Sequence, residues 1–409
     1  MSACHSQREP WQTAAKRPPS CQASRLLDRV AAARTARQAN RSTMLLPLAP
    51  GSHVSAHMVV CPRAARATFA QDGAALSKGS RGGPCLALTA VNGDAWRAQR
   101  PLVANALGGA PSRTSRAAAV AVVAAMMGEI RGTVDAREIF LRVGTACVVA
   151  AMVGRRDATL EGAIAVIFAP SLARARYRAT PAEGERVDSA LRAVGGGGLL
   201  EALRQECAAD VALDNAHRAL LAGAQTIAAT LCAALAFIAA HPSQSLDARA
   251  AVRETLRILP PVATLPRRVE TRVDVGGGVA RGAWVVGDLV ACAHGDDAAS
   301  LRYDPARQAD GDAAPWGLGP RVCPAGQLST ACVAAALEAL AARATWRLAR
   351  PARDGVGSDG TCGFLEPLVY ARTLAFPRHV PLVVQLRPPR PPECKTVTYF
   401  ACACGRKRI

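Results

Sequence analysis

The chain has 409 residues, 50 basic and 31 acidic, for a formal balance of +19; half of it is apolar but only 4% is aromatic. That length excludes a stapled mini-domain, and that apolar content excludes a wholly disordered polymer. Residues 1–50 hold eight basic and two acidic groups and 387–409 hold six and one, so +11 of the +19 sits in the flanks and the middle carries +8. Nucleic-acid recognition wants clustered charge interleaved with stacking aromatics, so no nucleic-acid partner is expected.

The fourteen Cys residues run from Cys4 to Cys404 in a large chain without a secretory apolar start, which predicts reduced thiols. Cys402 and Cys404 lack the spacing and the matching pair of a zinc module.

In chain order, residues 1–45 read as a basic extension with one amphipathic helix over Ala23–Gln38, where Leu26, Leu27 and Val30 oppose Arg25, Arg29 and Arg37. An ordinary surface helix and an organelle transit peptide both fit that composition; the cytoplasm is the expected location, with organelle targeting the alternative. Residues 46–386 form the predicted domain, and 387–409, basic and broken by Pro, a tail. Within the domain, helical spacing covers Ala136–Val153, and Gly195–Gly198 breaks two further helical segments. Ala219–Ala240 is long enough to cross a bilayer, but its Ala content and the mid-run Gln225, Thr226 and Thr230 predict a helix buried in a soluble protein rather than an anchor. A helix over Leu246–Leu259 stops at Pro260-Pro261, strands cover Arg268–Val275 and Ala283–Cys292, and a helix runs from Gly326 to about Leu348. The fold class is mainly α with a minor β-sheet.

The chemistry concentrates in Trp316-Gly317-Leu318-Gly319-Pro320-Arg321-Val322-Cys323-Pro324-Ala325-Gly326, a Gly- and Pro-dense loop entering a helix. Amides and the positive dipole end at a helix start favour thiolate over thiol, and a thiolate binds metal. A lone Cys in a turn also reads as a small core hydrophobe. The loop resembles the cysteine-ligand loop of the cytochrome P450 family, F-x-x-G-x-R-x-C-x-G, with Trp316 in the aromatic place and Ala325 where the last Gly is expected.

Its companions follow the same family. Glu254-Thr255-Leu256-Arg257 resembles the E-x-x-R pair, which in the family is buried and joined by an Arg from an aromatic-Asp-Pro-x-Arg segment, here Tyr303 to Arg307. Ala222-Gly223-Ala224-Gln225-Thr226 resembles the oxygen-binding motif A-G-x-[D/E]-T, with Gly223 allowing close approach, Thr226 bonding the oxygen ligand, and Gln225 in the acid place. Trp96-Arg97-Ala98-Gln99-Arg100 resembles the W-x-x-x-R helix that meets a haem propionate, and Arg321 with Arg267 or Arg268, Arg268 preferred, would add cations.

The resemblance implies a single-domain P450-like fold around a buried haem b, with Cys323 as axial thiolate to iron. It further implies a monooxygenase that inserts one atom of O2 into a small apolar organic substrate, using electrons from a separate reductase or ferredoxin. Because an amide cannot relay a proton as a carboxylate does, a peroxide-using, isomerase-like or degenerate haem-binding relative is the alternative.

Overall fold

A computed structural model describes residues 34–39, 41, 43–47, 55–79, 85–130, 132–174, 180–242, 246–275, 277–294, 298–308, 313–349, 368–371, 374–377 and 380–386. Residues 1–33, which hold most of the expected N-terminal helix, and the tail 387–409 lie outside the described residues.

Helices build most of the body. α1 (Pro62–Phe69) precedes α2 (Gly93–Ala106), α3 (Ala110–Glu129), α4 (Ala136–Val153), α5 (Ala158–Arg174), α6 (Pro181–Ala193) and α7 (Gly198–Glu206). α8 (Ala209–Ala240), α9 (Ala248–Ile258), the short α10 (Leu289–Ala293) and α11 (Gly326–Arg343) follow. α4 matches the expected bounds because both ends are signalled locally: the Asp135 carboxylate accepts the Arg137 N–H, and Gly154 takes φ +74° just beyond the last turn. α8 is the central helix. It is long and apolar enough to cross a membrane, but 67% of its most apolar stretch is buried inside the molecule.

α4 and α8 cross with almost no side chain between them. A Cβ on Gly144 would stand 2.1 Å from the Ala224 carbonyl oxygen, and one on Gly223 would stand 2.4 Å from Val148 Cγ1. Backbones this close require glycine at the crossing.

The main sheet has five strands in the order β1 (Thr43–Pro47), β2 (Ser55–Val59), β8 (Trp284–Asp288), β5 (Thr264–Val269), β3 (Leu76–Ser77). Only β2 and β8 run parallel; the other neighbours are antiparallel. One face packs on α1 through Val59, Phe69, Leu76, Val269, Val285 and Leu318, which brings the sheet to the cysteine loop. A second sheet joins β4 (Thr133–Asp135), β12 (Pro381–Leu386) and β9 (Ala344–Leu348).

Three expectations change. The segment Arg268–Val275 is not one strand: β5 ends at Val269, the Glu270 N–H turns to Ala75 O, and β6 (Val273–Asp274) pairs separately with β7 (Gly278–Val279). The strand from Ala283 ends at Asp288, whose carboxylate accepts the Ala291 N–H and caps α10. The last helix stops at Arg343, because Ala344–Leu348 pairs with β12 and Trp346 is buried.

Described residues before 46 also contact this body. Ala36 is buried with Val60 and Ala291. The Arg37 guanidinium donates to the carbonyls of Val60, Ala291 and His294 at 3.0, 2.9 and 2.7 Å. The described part of the extension is therefore fastened to the domain.

Candidate active site around Cys323

The cysteine loop is held by its own backbone. The Cys323 N–H donates to Trp316 O at 2.8 Å, and Gly317 and Gly319 take φ +91° and +66°. At Gly319 a Cβ would stand 2.0 Å from Phe69 O, so no other residue fits under α1. Ala325, in place of the family's glycine, sits at φ −97°, which any L-residue accepts; the departure costs the backbone nothing. The Trp316 ring lies 3.0 Å from where a Gly326 Cβ would be, and so covers the first turn of α11.

Cys323 alone of the eight described cysteines is exposed. Protein nevertheless surrounds it closely enough that burial pushes its thiol up, against the Ala325 N–H bond and the Arg100 charge, which pull it down. An accessible sulfur in desolvating surroundings is a recessed one. The helix start by itself predicts a thiolate; here desolvation outweighs the Ala325 N–H and the Arg100 charge and favours the thiol. Among the described residues no group of three or more His, Cys, Asp and Glu converges as a metal cage. A single thiolate holds iron only when the iron brings its other ligands, as in a macrocycle.

Arg100 lies near that sulfur, half-buried, and makes no hydrogen bond or ion pair among the described residues. Its helix is anchored by Gln99, which donates to Leu86 O at 2.9 Å and accepts from Asn215 Nδ2 at 3.0 Å, tying α2 to α8. Arg321 is engaged elsewhere. It donates to Val91 O at 2.7 Å and Asn92 Oδ1 at 3.0 Å, lies 5.0 Å over the Trp96 ring, and faces Asp72 Oδ1 at 3.3 Å.

The brace expected beside the loop is present. Arg257 grips both oxygens of Glu254, Arg307 approaches the same carboxylate at 3.6 Å, and the Asp304 N–H donates to it at 3.0 Å. Tyr303 stacks on Phe237 of α8 at 4.7 Å, joining the brace to the central helix.

No family model matches the chain, and no curated protein matches it by sequence. Solved structures do match. P450 OxyD, involved in the biosynthesis of vancomycin-type antibiotics, superposes with TM-score 0.69 at 19% identity over 88% of this chain and 97% of its own. CYP105P2 from Streptomyces peucetius, in complex with a biphenyl compound, gives 0.70 at 19% identity over 89% and 98%. CYP154A1 from Streptomyces coelicolor A3(2) gives 0.68 at 19% over 87% and 97%. This chain has the cytochrome P450 fold.

Within that P450 fold, the distal residues divide between two faces of α8. Ala222 is exposed and Gly223, Thr226 and Ala229 are half-buried, an accessible stripe at helical spacing. Thr226 is on it, its hydroxyl donating to Ala222 O at 2.8 Å and keeping its lone pairs. Gln225 is not: it is 7% exposed, on the packed side, and its Oε1 accepts no hydrogen bond. Gln225 and Thr226 thus lie on different faces, as adjacent helical positions point about 100° apart. The group that a Cβ on Gly223 would meet is Val148 of α4.

Alternation along β5 turns Arg268 outward and Arg267 inward, where Arg267 is 2% exposed and donates to Asp72 Oδ2 at 2.6 Å. Asp72, unmarked by any motif, thus sits between Arg267 and Arg321. Its only local signal is the turn at Gly73, φ +93°.

Proposed function

We propose that the chain is a haem-thiolate monooxygenase that inserts one atom of O2 into a small apolar organic substrate, with electrons from a separate reductase or ferredoxin. The observation that carries this reading is the recessed, accessible Cys323 sulfur, with the Ala325 amide and the Arg100 cation beside it and no other metal ligands converging among the described residues. Those groups fit a haem: the Ala325 N–H and the Arg100 charge favour a sulfur anion, and Arg100, which makes no ion pair among the described residues, is able to meet a carboxylate.

A bound haem b would supply iron for O2 chemistry. Cys323 would hold it as thiolate, with the Ala325 N–H sharing the sulfur charge. Arg100 neutralises a carboxylate at the cofactor edge. Thr226, from the accessible stripe of α8, would accept a hydrogen bond from water and orient it, its own O–H being held by Ala222 O. Trp316 and Gly319 fix the loop so that the sulfur needs no reorganisation on binding.

One observation favours a second reading. Position 225 holds a buried amide in place of the motif's acid, and a peroxide-using, isomerase-like or degenerate haem protein needs no acid there. The test begins with the carbon monoxide difference spectrum of the reduced protein, where thiolate ligation shifts the main band far to the red. Cys323→Ser should abolish that shift; its survival would end the proposal. Consumption of reduced nicotinamide through a surrogate redox system then separates oxygenase from the second reading.

A further inference from the structure

Asp72, Arg267 and Arg321 form a buried cluster in which the side chains are 0%, 2% and 4% exposed. Arg267 Nε donates to one oxygen of the carboxylate at 2.6 Å, and Arg321 Nε lies 3.3 Å from the other as an ion pair without a hydrogen bond. Two arginines thus share the one carboxylate of Asp72. The cluster is walled by aromatic faces, Phe69 at 5.7 Å from Arg267 and Trp96 at 5.0 Å from Arg321, which favour cations but add no formal charge. Both arginines come from the segments that the resemblance assigns to the cofactor edge, whereas nearby Arg100 is free of such partners.

We infer that Asp72 is the resident counter-ion of this cluster, a positioning residue that holds Arg267 and Arg321 inward and competes with the cofactor's carboxylates for them. This rests on the haem reading. The physical argument is one of charge: a buried carboxylate beside two arginines stabilises the chain without cofactor, because two desolvated guanidiniums alone would repel. The same carboxylate repels any further anion drawn to those arginines. Asp72 therefore strengthens the empty protein and weakens its hold on haem, and the two effects have opposite signs. A scaffold residue that merely shaped the site would strengthen both.

The experiment compares the full-length wild-type chain with Asp72→Asn. Both are loaded with hemin, haem loss to excess scavenging apomyoglobin is timed, and urea unfolding of the haem-free forms is recorded. Expected for Asp72→Asn is haem loss slower by about ten-fold, the scale of one charge contact, with haem-free unfolding at lower urea. Haem loss as fast as wild type or faster overturns the inference. Should Asp72→Asn alone not fold, the same change is made in an Arg267→Gln background, where a cation and an anion leave together. Slower haem loss than Arg267→Gln alone supports the counter-ion role, and equal or faster loss overturns it. A wild-type protein without the red-shifted carbon monoxide band would sink the haem reading and this inference with it; a band in wild type with no slowing in the variant sinks the inference alone.

Discussion

Arg257 holds both carboxylate oxygens of Glu254, at 2.7 and 2.8 Å, with the two side chains only 5% and 3% exposed. The remaining guanidinium protons go to the carbonyls of Ser300 and Arg302, so the pair also fastens the segment leading to the cysteine loop. Arg257→Ala strips the carboxylate of its bidentate partner in a dry setting and is expected to cost about 3–5 kcal/mol in urea unfolding. The double variant Glu254→Ala/Arg257→Ala should recover part of that loss; simple additivity of the two single costs would show that the pair does not act as a unit.

The helix crossing gives a second expectation. Gly144→Ala meets the Ala224 backbone, which cannot yield without moving α8, whereas Gly223→Ala meets only the Val148 side chain. Gly144→Ala should destabilise by about 1–3 kcal/mol and resist rescue, while Gly223→Ala should be largely rescued by Val148→Ala. Equal rescue at both sites would contradict the geometry.

Thiol chemistry offers a third. In the haem-free chain an alkylating reagent should label Cys323 ahead of the buried Cys147, Cys232, Cys292 and Cys332, as read by peptide mass mapping. Because burial pushes the Cys323 thiol up, labelling should quicken with pH above the ordinary thiol range; Arg100→Ala removes a charge that pulls it down and should slow labelling further. Faster labelling in that variant would refute the assigned role of Arg100.

His294 makes stability depend on pH. Desolvation, helped by the Arg257 charge, lowers its pKa from 6.5 to about 4, against the Ile258 and Ser300 carbonyls that its ring nitrogens face at 3.1 and 3.2 Å. Between those values the unfolded chain binds the proton and the folded chain does not, so stability is full above about pH 6.5 and falls as pH drops toward 4, by up to about 3 kcal/mol. His294→Gln should flatten that slope in denaturation curves taken across the window. An unchanged slope would assign it to other groups.

Gln225→Glu is expected to lose stability rather than simply restore a proton relay. The new carboxyl would enter a site where the amide is 7% exposed and its oxygen already lacks a donor, so its pKa would rise and the folded form would keep its proton. A raised pKa means that stability falls as pH increases, and the variant should unfold more readily at pH 8 than at pH 5. The reverse order would show that a donor reaches this position.

The local signals were legible because each is complete within one segment. Helix α4 carries its cap at Asp135 and its stop at Gly154, the cysteine loop carries its glycines, and the spacing of Glu254 and Arg257 places both on one helical face. The fold class followed from such patterns, while the burial of the Glu254–Arg257 pair and its joining by Arg307 were what the family resemblance implied. Residues joined only by tertiary contact were not legible: Asp72 meets Arg267 across 195 positions, and Arg37 meets the Ala291 carbonyl across 254. Nor could sequence decide that Arg267 turns inward and Arg268 outward, since that needs the side of the strand on which α1 packs. The same holds for α8, where only the folded chain shows that Gln225 is buried and Thr226 accessible. Spacing fixes which residues share a face, but burial, and with it charge and protonation, depends on what the rest of the chain lays against that face.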